Sequence, residues 1–314
     1  METITEIRSV SDRTWEKVVM RYNRPELHKS IWQICNTLIP LILSWFLMVQ
    51  SLQLSYWITL LLSVVASGFL IRLFIIFHDC GHGSFFRSGK ANEIVGIITG
   101  VLTFTPYHMW HGHHRIHHAT SGNLDKRGVG DVWTLTVEEY MNSSKGRRLF
   151  YRVFRSPLIL FTIGPLYVIL LQNRVTKKYM TKKEKRSVYF TNVMLLFMGA
   201  SISMIIGIKA YLLIQVPLIL IAHVLGLWLF YIQHQFEEVS WERNEKWDYK
   251  AAAIRGSSFL KLPAVLQWFT GNIGFHHVHH LSSRIPNYNL SRCHYENDLF
   301  REVTPIVLTS TFRA

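Results

Sequence analysis

The sequence predicts an all-α integral-membrane protein, with four transmembrane helices in two hairpins and a cytosolic helical cap that holds a metal site. Three observations predict it. Four long apolar runs interrupt the chain, lysine and arginine collect on one side of those runs, and histidines cluster at or beyond their ends.

The 314 residues are 49% hydrophobic, with a positive mean hydropathy. A membrane-crossing helix needs about 20 mostly apolar residues. Segments 31–50, 54–77, 187–208 and 211–233 meet that test and are nearly free of charge until their ends. Arg72 lies about a turn from the end of the second, where a long side chain can snorkel to the headgroups. Stretches 94–107 and 157–171 are short for a crossing and carry glycine and proline, so they read as interfacial or re-entrant helices. The first thirty residues are polar, with no cleavable signal pattern, which makes the first span an uncleaved anchor.

Charge sets the orientation. Residues 1–30 hold Arg8, Arg13, Lys17, Arg21, Arg24 and Lys29, and the 172–187 loop holds Arg174, Lys177, Lys178, Lys182, Lys183, Lys185 and Arg186. The opposite connections are tiny: 51–53 has no base, and the other has only Lys209. Positive residues stay in the cytoplasm, so both termini and regions 1–30, 78–186 and 234–314 are expected there. The single domain, 1–314, then has one cap built from both long cytosolic regions. The net charge of +14 reflects this bias and suits anionic headgroups or an acidic electron carrier. No helix-turn-helix, zinc-finger or RNA-binding motif is present, which argues against nucleic acid. Cys35, Cys80 and Cys293 form no CxxC pair and are expected as reduced thiols.

Sixteen histidines decide the chemistry, eleven of them in three clusters: His78-Asp-Cys-Gly-His82; His111-Gly-His113-His114-Arg-Ile-His117-His118; and His276-His277-Val-His279-His280. Positions i, i+3 and i+4 share a helix face. His78 and His82 are i, i+4; His114, His117 and His118 are i, i+3, i+4; His276, His279 and His280 repeat that pattern. Each cluster is expected to aim its imidazoles at one point, as metal-binding bundles do. Eight imidazoles exceed the four that one tetrahedral zinc needs and suit two metal ions, although imidazole alone does not select among zinc, copper, iron and nickel. His234, at the end of the fourth run, is a ninth candidate, or else an interfacial histidine.

His111, His113 and His277 break the spacing and read as outer-shell or surface groups. Metal-bound imidazoles commonly donate their other N–H to an oxygen; Asp79, Asp125, Asp131, Glu237 and Glu238 are nearby candidates, each equally suited to a salt bridge or a cap. Tyr107, Trp110, Trp228, Tyr231, Phe269 and Phe275 flank the clusters and read either as the lining of a tunnel beside them or as ordinary interfacial aromatics. His223, inside the fourth run, reads as a polar helix contact, and His28, His108 and His294 follow no pattern.

The three clusters resemble the HxxxH, HxxHH and HxxHH boxes of the membrane fatty acid desaturases in order, spacing and placement. Four stretches, FIIFHDCGHGSFF (74–86), IHHATSGNLDKRGVGDVWTLTVEEY (116–140), WLFYIQHQFE (228–237) and GSSFLKLPAVLQWFTGNIGFHHVHHLSSRIPNYNL (256–290), are similar to bacterial acyl-lipid desaturases of the delta-5 type. The similarity covers nearly the whole chain. His111 and Gly112, just ahead of the second box, depart from it.

The resemblance implies a four-span bundle in the bacterial plasma membrane. It implies two iron ions held by His78, His82, His114, His117, His118, His276, His279 and His280, with His234 matching an additional histidine of the family. Dioxygen would be the co-substrate, a phospholipid acyl chain the substrate, and reduced ferredoxin or flavodoxin the electron donor. One hydrogen would leave each of two adjacent methylenes, giving a cis double bond that adjusts membrane fluidity. No HPGG haem motif is present, and neither haem nor flavin is expected in the chain. Alkyl hydroxylation on the same scaffold, metal transport or sensing, and lipid binding alone are the competing readings; the apolar centres of the spans argue against transport.

Overall fold

The computed structural model describes residues 14–313. Arg8 and Arg13, used above for orientation, lie outside them. In chain order the helices are α1 (Thr14–Met20), α2 (Leu27–Ser51), α3 (Tyr56–His82), α4 (Gly89–Leu102), α5 (Tyr107–Thr120), α6 (Val137–Met141), α7 (Lys145–Phe154), α8 (Gly164–Tyr167), α9 (Lys182–Ile206), α10 (Ile208–His234), α11 (Tyr249–Arg255), α12 (Ala264–Phe269), α13 (His276–Leu281) and α14 (Asn287–Tyr295). Among the described residues, the departure from all-α is one short parallel strand pair, β1 (Phe259–Lys261) with β2 (Pro305–Val307), in which Leu260 faces Ile306.

Helices α2, α3, α9 and α10 are long and apolar enough to cross a membrane. They form two hairpins, α2–α3 and α9–α10, with Gly207 alone between the second pair. α3 is the central helix: 56% of its most apolar window is buried, against 6% in α9. It packs on α2, α4 and α10, and Leu73, Ile76 and Phe77 share a core with Ile214, Leu218 and Ile232. Leu196, Phe197, Met204 and Ile205 of α9 point outward, as a lipid-facing helix requires.

The helices overrun the apolar runs. α9 starts at Lys182 because Thr181 and Glu184 form a reciprocal capping box. α3 runs on to His82, where Gly83 at φ 66° caps it in the left-handed region. That extra turn lifts the first histidine cluster off the apolar stretch while keeping it on a rigid helix.

α4, with 14 residues, reaches about 21 Å, short of the roughly 30 Å hydrocarbon layer. α7 meets the following Ile159–Gln172 segment at 56°, and the two joined are long enough for a fifth crossing or a re-entrant loop. Inside that segment, π-helical turns flank α8. Pro165 there lacks an N–H and crowds the preceding turn.

A tight turn between α4 and α5 aims the second histidine cluster. Phe104 adopts φ 58°, and its carbonyl accepts from Asn173 Nδ2 at 3.2 Å and from Arg174. Thr105 N–H donates to the Gly100 carbonyl at 2.7 Å. A Cβ on Gly100 would stand 2.6 Å from the Thr105 carbonyl oxygen and 3.0 Å from the Phe77 ring. A second core, under α11, α13 and α14, holds Val278, Leu281, Ile285, Leu290, Cys293 and Phe300 and fixes the third cluster.

Gly100→Ala is expected to cost on the order of 1–3 kcal/mol through overpacking against backbone. A lower unfolding temperature of the detergent-solubilised protein would show it; an unchanged temperature would mean that the turn can yield.

Candidate metal centre

The nine candidate histidines converge on two points. His78, His82, His114, His118 and His279 form one group, and His117, His234, His276 and His280 form the other; within each, the available nitrogens lie within 4.8 Å of one another. The expectation that each cluster serves a single point is therefore corrected for the second and third clusters, which divide between the groups, while His78 and His82 stay together. The reason is helical geometry: successive residues advance about 100°. His114 and His118 are about 40° apart, whereas His117 diverges from His118 by about 100°. α5 thus gives its i, i+4 pair to the first group and His117 to the second. α13 does the reverse, giving His276 and His280 to the second group and His279 to the first. The end of α3 completes the first group with a pair, and the end of α10 completes the second with His234 alone.

The groups touch. His118 and His280 stack with ring centroids 4.1 Å apart. Burial, with neighbouring histidines adding to it, pushes His114, His118, His276, His279 and His280 well below the usual histidine range, so these imidazoles are neutral. His234 Nε2 lies 3.0 Å from His117 Nε2 and 2.9 Å from His276 Nε2. His118 Nε2 lies 3.1 Å from His114 Nε2 and 3.0 Å from His279 Nε2. A neutral imidazole nitrogen carries one proton or one lone pair, never both. At most one of each two contacts is therefore a hydrogen bond. The Nε2 atoms of His82 and His280 are buried with no partner at all.

A metal cation satisfies every such lone pair together. Two nitrogens about 2.1 Å from one ion and at right angles to each other lie about 3.0 Å apart, which matches the observed contacts. The donor set fits two ions.

One carboxylate serves each group. Asp79 Oδ1 is 3.2 Å from His78 Nδ1, and Asp131 Oδ1 is 2.9 Å from His117 Nδ1. Either bond fixes the tautomer that leaves Nε2 free. The other candidate carboxylates sit elsewhere: Asp125 accepts from Arg243 at 2.5 Å and from Asn244 N–H at 2.9 Å, and Glu237 and Glu238 are exposed. His111 is half-buried beside Tyr107, and His113 is half-buried beside Tyr179. His277 is fully buried on the far side of α13 among Phe259 and Phe300, with its Nε2 2.9 Å from His294 Nδ1. Burial depresses that pair to about 3 and about 4 respectively, so it is neutral.

Of the six aromatics, Trp110 stacks on His114 at 4.2 Å and packs against Phe74 and Phe77. Gly81 makes room for it, since a Cβ there would stand 2.8 Å from the indole. Tyr107 donates to the Cys80 carbonyl at 2.9 Å. Tyr231 accepts from Arg155 at 3.0 Å. Trp228 packs against the main core, Phe269 lies against Phe69 over Gly68, and Phe275 stacks on Phe259.

Four contributors carried no sequence signal. The Gly256 carbonyl lies 3.3 Å from His234 Nδ1. Asn287 binds Asp79 through both its N–H groups at 2.7 and 2.9 Å. Arg155, at the end of α7, donates to Gln235, next to His234. Phe230 packs its ring against His117 and His234.

A family model described as fatty acid desaturase matches residues 54–306. A fatty acid desaturase of Bacillus subtilis (strain 168) is 49% identical over 298 residues, which cover 95% of this chain and 85% of that protein. An sn-1 oleoyl-lipid 12-desaturase of Synechocystis is 25% identical over 228 residues, 72% of this chain and 64% of its own. An sn-1 acyl-lipid omega-3 desaturase (ferredoxin) of Nostoc is 28% identical over 239 residues, 69% of this chain and 61% of its own.

Purified protein reconstituted with cobalt(II) and desalted is expected to retain about two ions per chain, and His234→Ala about one, because the four-histidine group has no spare ligand. Metal analysis checks this; two ions retained in the variant would remove His234 from the ligand set.

Proposed function

The chain belongs to the fatty acid desaturase family, and from that premise we propose that it desaturates acyl chains of membrane phospholipids at a histidine-held di-iron centre, with dioxygen as co-substrate. The observation that carries this reading is the pair of histidine groups, one buried and one partly so, at the ends of α3 and α10, beside helices long and apolar enough to span a bilayer. The ligands are His78, His82, His114, His118 and His279 for one iron, and His117, His234, His276 and His280 for the other.

When bound, iron would activate dioxygen, the oxidant, against an unactivated methylene, which has no acidic proton for a side chain to remove. The residues of the chain do the rest. Asp79 and Asp131 hold the Nδ1 protons of His78 and His117 and so keep Nε2 facing inward. Trp110, Phe74, Phe77 and Phe230 wall the groups with apolar surface and exclude water from them. An acyl chain rising from the bilayer along that wall meets the centre already dehydrated, with one pair of carbons held for reaction.

The lysine and arginine of the 172–187 loop support a cytosolic location for these helix ends and for both termini in the bacterial plasma membrane. Both lie on the basic side, so a small acidic carrier, reduced ferredoxin or flavodoxin, is the proposed electron donor; the Nostoc relative's name includes ferredoxin. The chain itself needs neither haem nor flavin. Delta-5 is the double-bond position favoured by the stretches of sequence quoted above.

Expression in a host with only saturated fatty acids, with ferredoxin or flavodoxin co-expressed, is expected to give a new cis-monounsaturated species on gas chromatography–mass spectrometry of the lipids. His117→Ala should abolish it, a loss of at least about 100-fold on the scale of removing a group essential to the chemistry. Fragmentation reads the position directly. Hydroxylated chains would assign the scaffold to hydroxylation instead, and unchanged lipids from an iron-loaded, reduced protein would rule out this substrate class.

A further inference from the structure

The two carboxylates that back the histidine groups are held very differently. Asp131 Oδ2 is buried without a partner. Asp79 Oδ2 takes two bonds from Asn287, from the backbone N–H at 2.7 Å and from Nδ2 at 2.9 Å. Asn287 is the first residue of α14, so the carboxylate also lies at a helix N-terminus, where negative charge is favoured. Asn287 Oδ1 in turn accepts from Gln33 Nε2 at 3.0 Å. Gln33, Asn287, Asp79 and His78 are all at least 96% buried. The run connects α2, α14 and α3 to His78 with no water-exposed member.

Its polarity is fixed by chemistry. Asp79 accepts at both oxygens, so Asn287 must turn Nδ2 toward it and Oδ1 away. Oδ1 then requires a donor, and Gln33 must present Nε2. Each amide has one workable orientation, and together they hold the carboxylate against His78 Nδ1.

We infer that Gln33 and Asn287 are positioning residues for the five-histidine group: the run Gln33–Asn287–Asp79 aims the His78 Nε2 lone pair at the position shared with His82, His114, His118 and His279. This rests on the metal reading proposed above and goes beyond it. It assigns to a glutamine in the first long helix, 45 positions before His78, a share in setting the affinity of one metal ion and not of the other.

The test is cobalt(II) titration of the full-length purified protein against a competing chelator, followed by visible absorption. Gln33→Glu keeps the shape but replaces the donor with an acceptor, which draws Nδ2 of Asn287 away from Asp79. Gln33→Glu and Asn287→Ala are each expected to weaken one of the two ions about 10–100-fold, the range for outer-shell partners of a metal ligand, and to leave the other unchanged. Gln33→Met, which removes the donor without adding an acceptor, should weaken the same ion less. A Gln33→Glu protein that binds both ions like the parent would overturn the inference. Equal weakening of both ions would also overturn it, since that marks a general packing fault. A parent protein that takes up no cobalt would instead overturn the metal reading, so the two failures are distinguishable.

Discussion

The structure depends on one constraint: nine imidazoles are packed at two adjoining points, most of them buried, with more inward-facing lone pairs than protons to share among them. Unpaired buried polar atoms are costly, and protonating these rings would add like charges to a dry interior. Cations resolve the conflict, and the surroundings serve that end. The packed helices α3 and α10 each bring histidines to the groups from their ends, and the turn at Phe104 leads into α5, which packs on α3. The second core takes in Val278 and Leu281 and so holds α13 in place. Each of these elements is rigid for reasons independent of the histidines.

The division of labour between α5 and α13 follows from the helical repeat. A box with i, i+3 and i+4 histidines cannot serve one ion with all three at full reach, because the last two diverge by about 100°. Two such boxes facing each other settle this by exchange, each giving a pair to one group and a single residue to the other. The first group then gains a second pair from α3, and the second gains only His234. Five histidines against four is the outcome, so two ions held there would have unlike surroundings even though they share the same ligand type.

Much of this was legible in the sequence. The four long helices followed from hydropathy, and the nine histidines that converge are those singled out by spacing and by position at the run ends. The sequence did not reveal their partition, since spacing gives a face but not which neighbour that face meets. Among the carboxylates, Asp79 and Asp131 could not be separated from Asp125 and Glu237, because backing a histidine depends on tertiary approach. Asn287 lies 208 residues from its partner Asp79, and no local pattern marks such a pair. Helix ends were missed by a turn where capping, at Thr181 and Gly83, carries the helix past its apolar run.

The placement of α13 has a consequence for how the protein is made. Both groups take ligands from residues 276–280, near the C-terminal end of the described chain. A growing chain inserts its helices and exposes the first two boxes long before either group can close. Until residue 280 has emerged and α13 has docked, the first group has four of its five histidines and the second only two of its four. The second group thus completes only when the chain is nearly finished, and a chain stalled late in synthesis would hold a membrane-embedded scaffold able to keep metal in one group and not in the other.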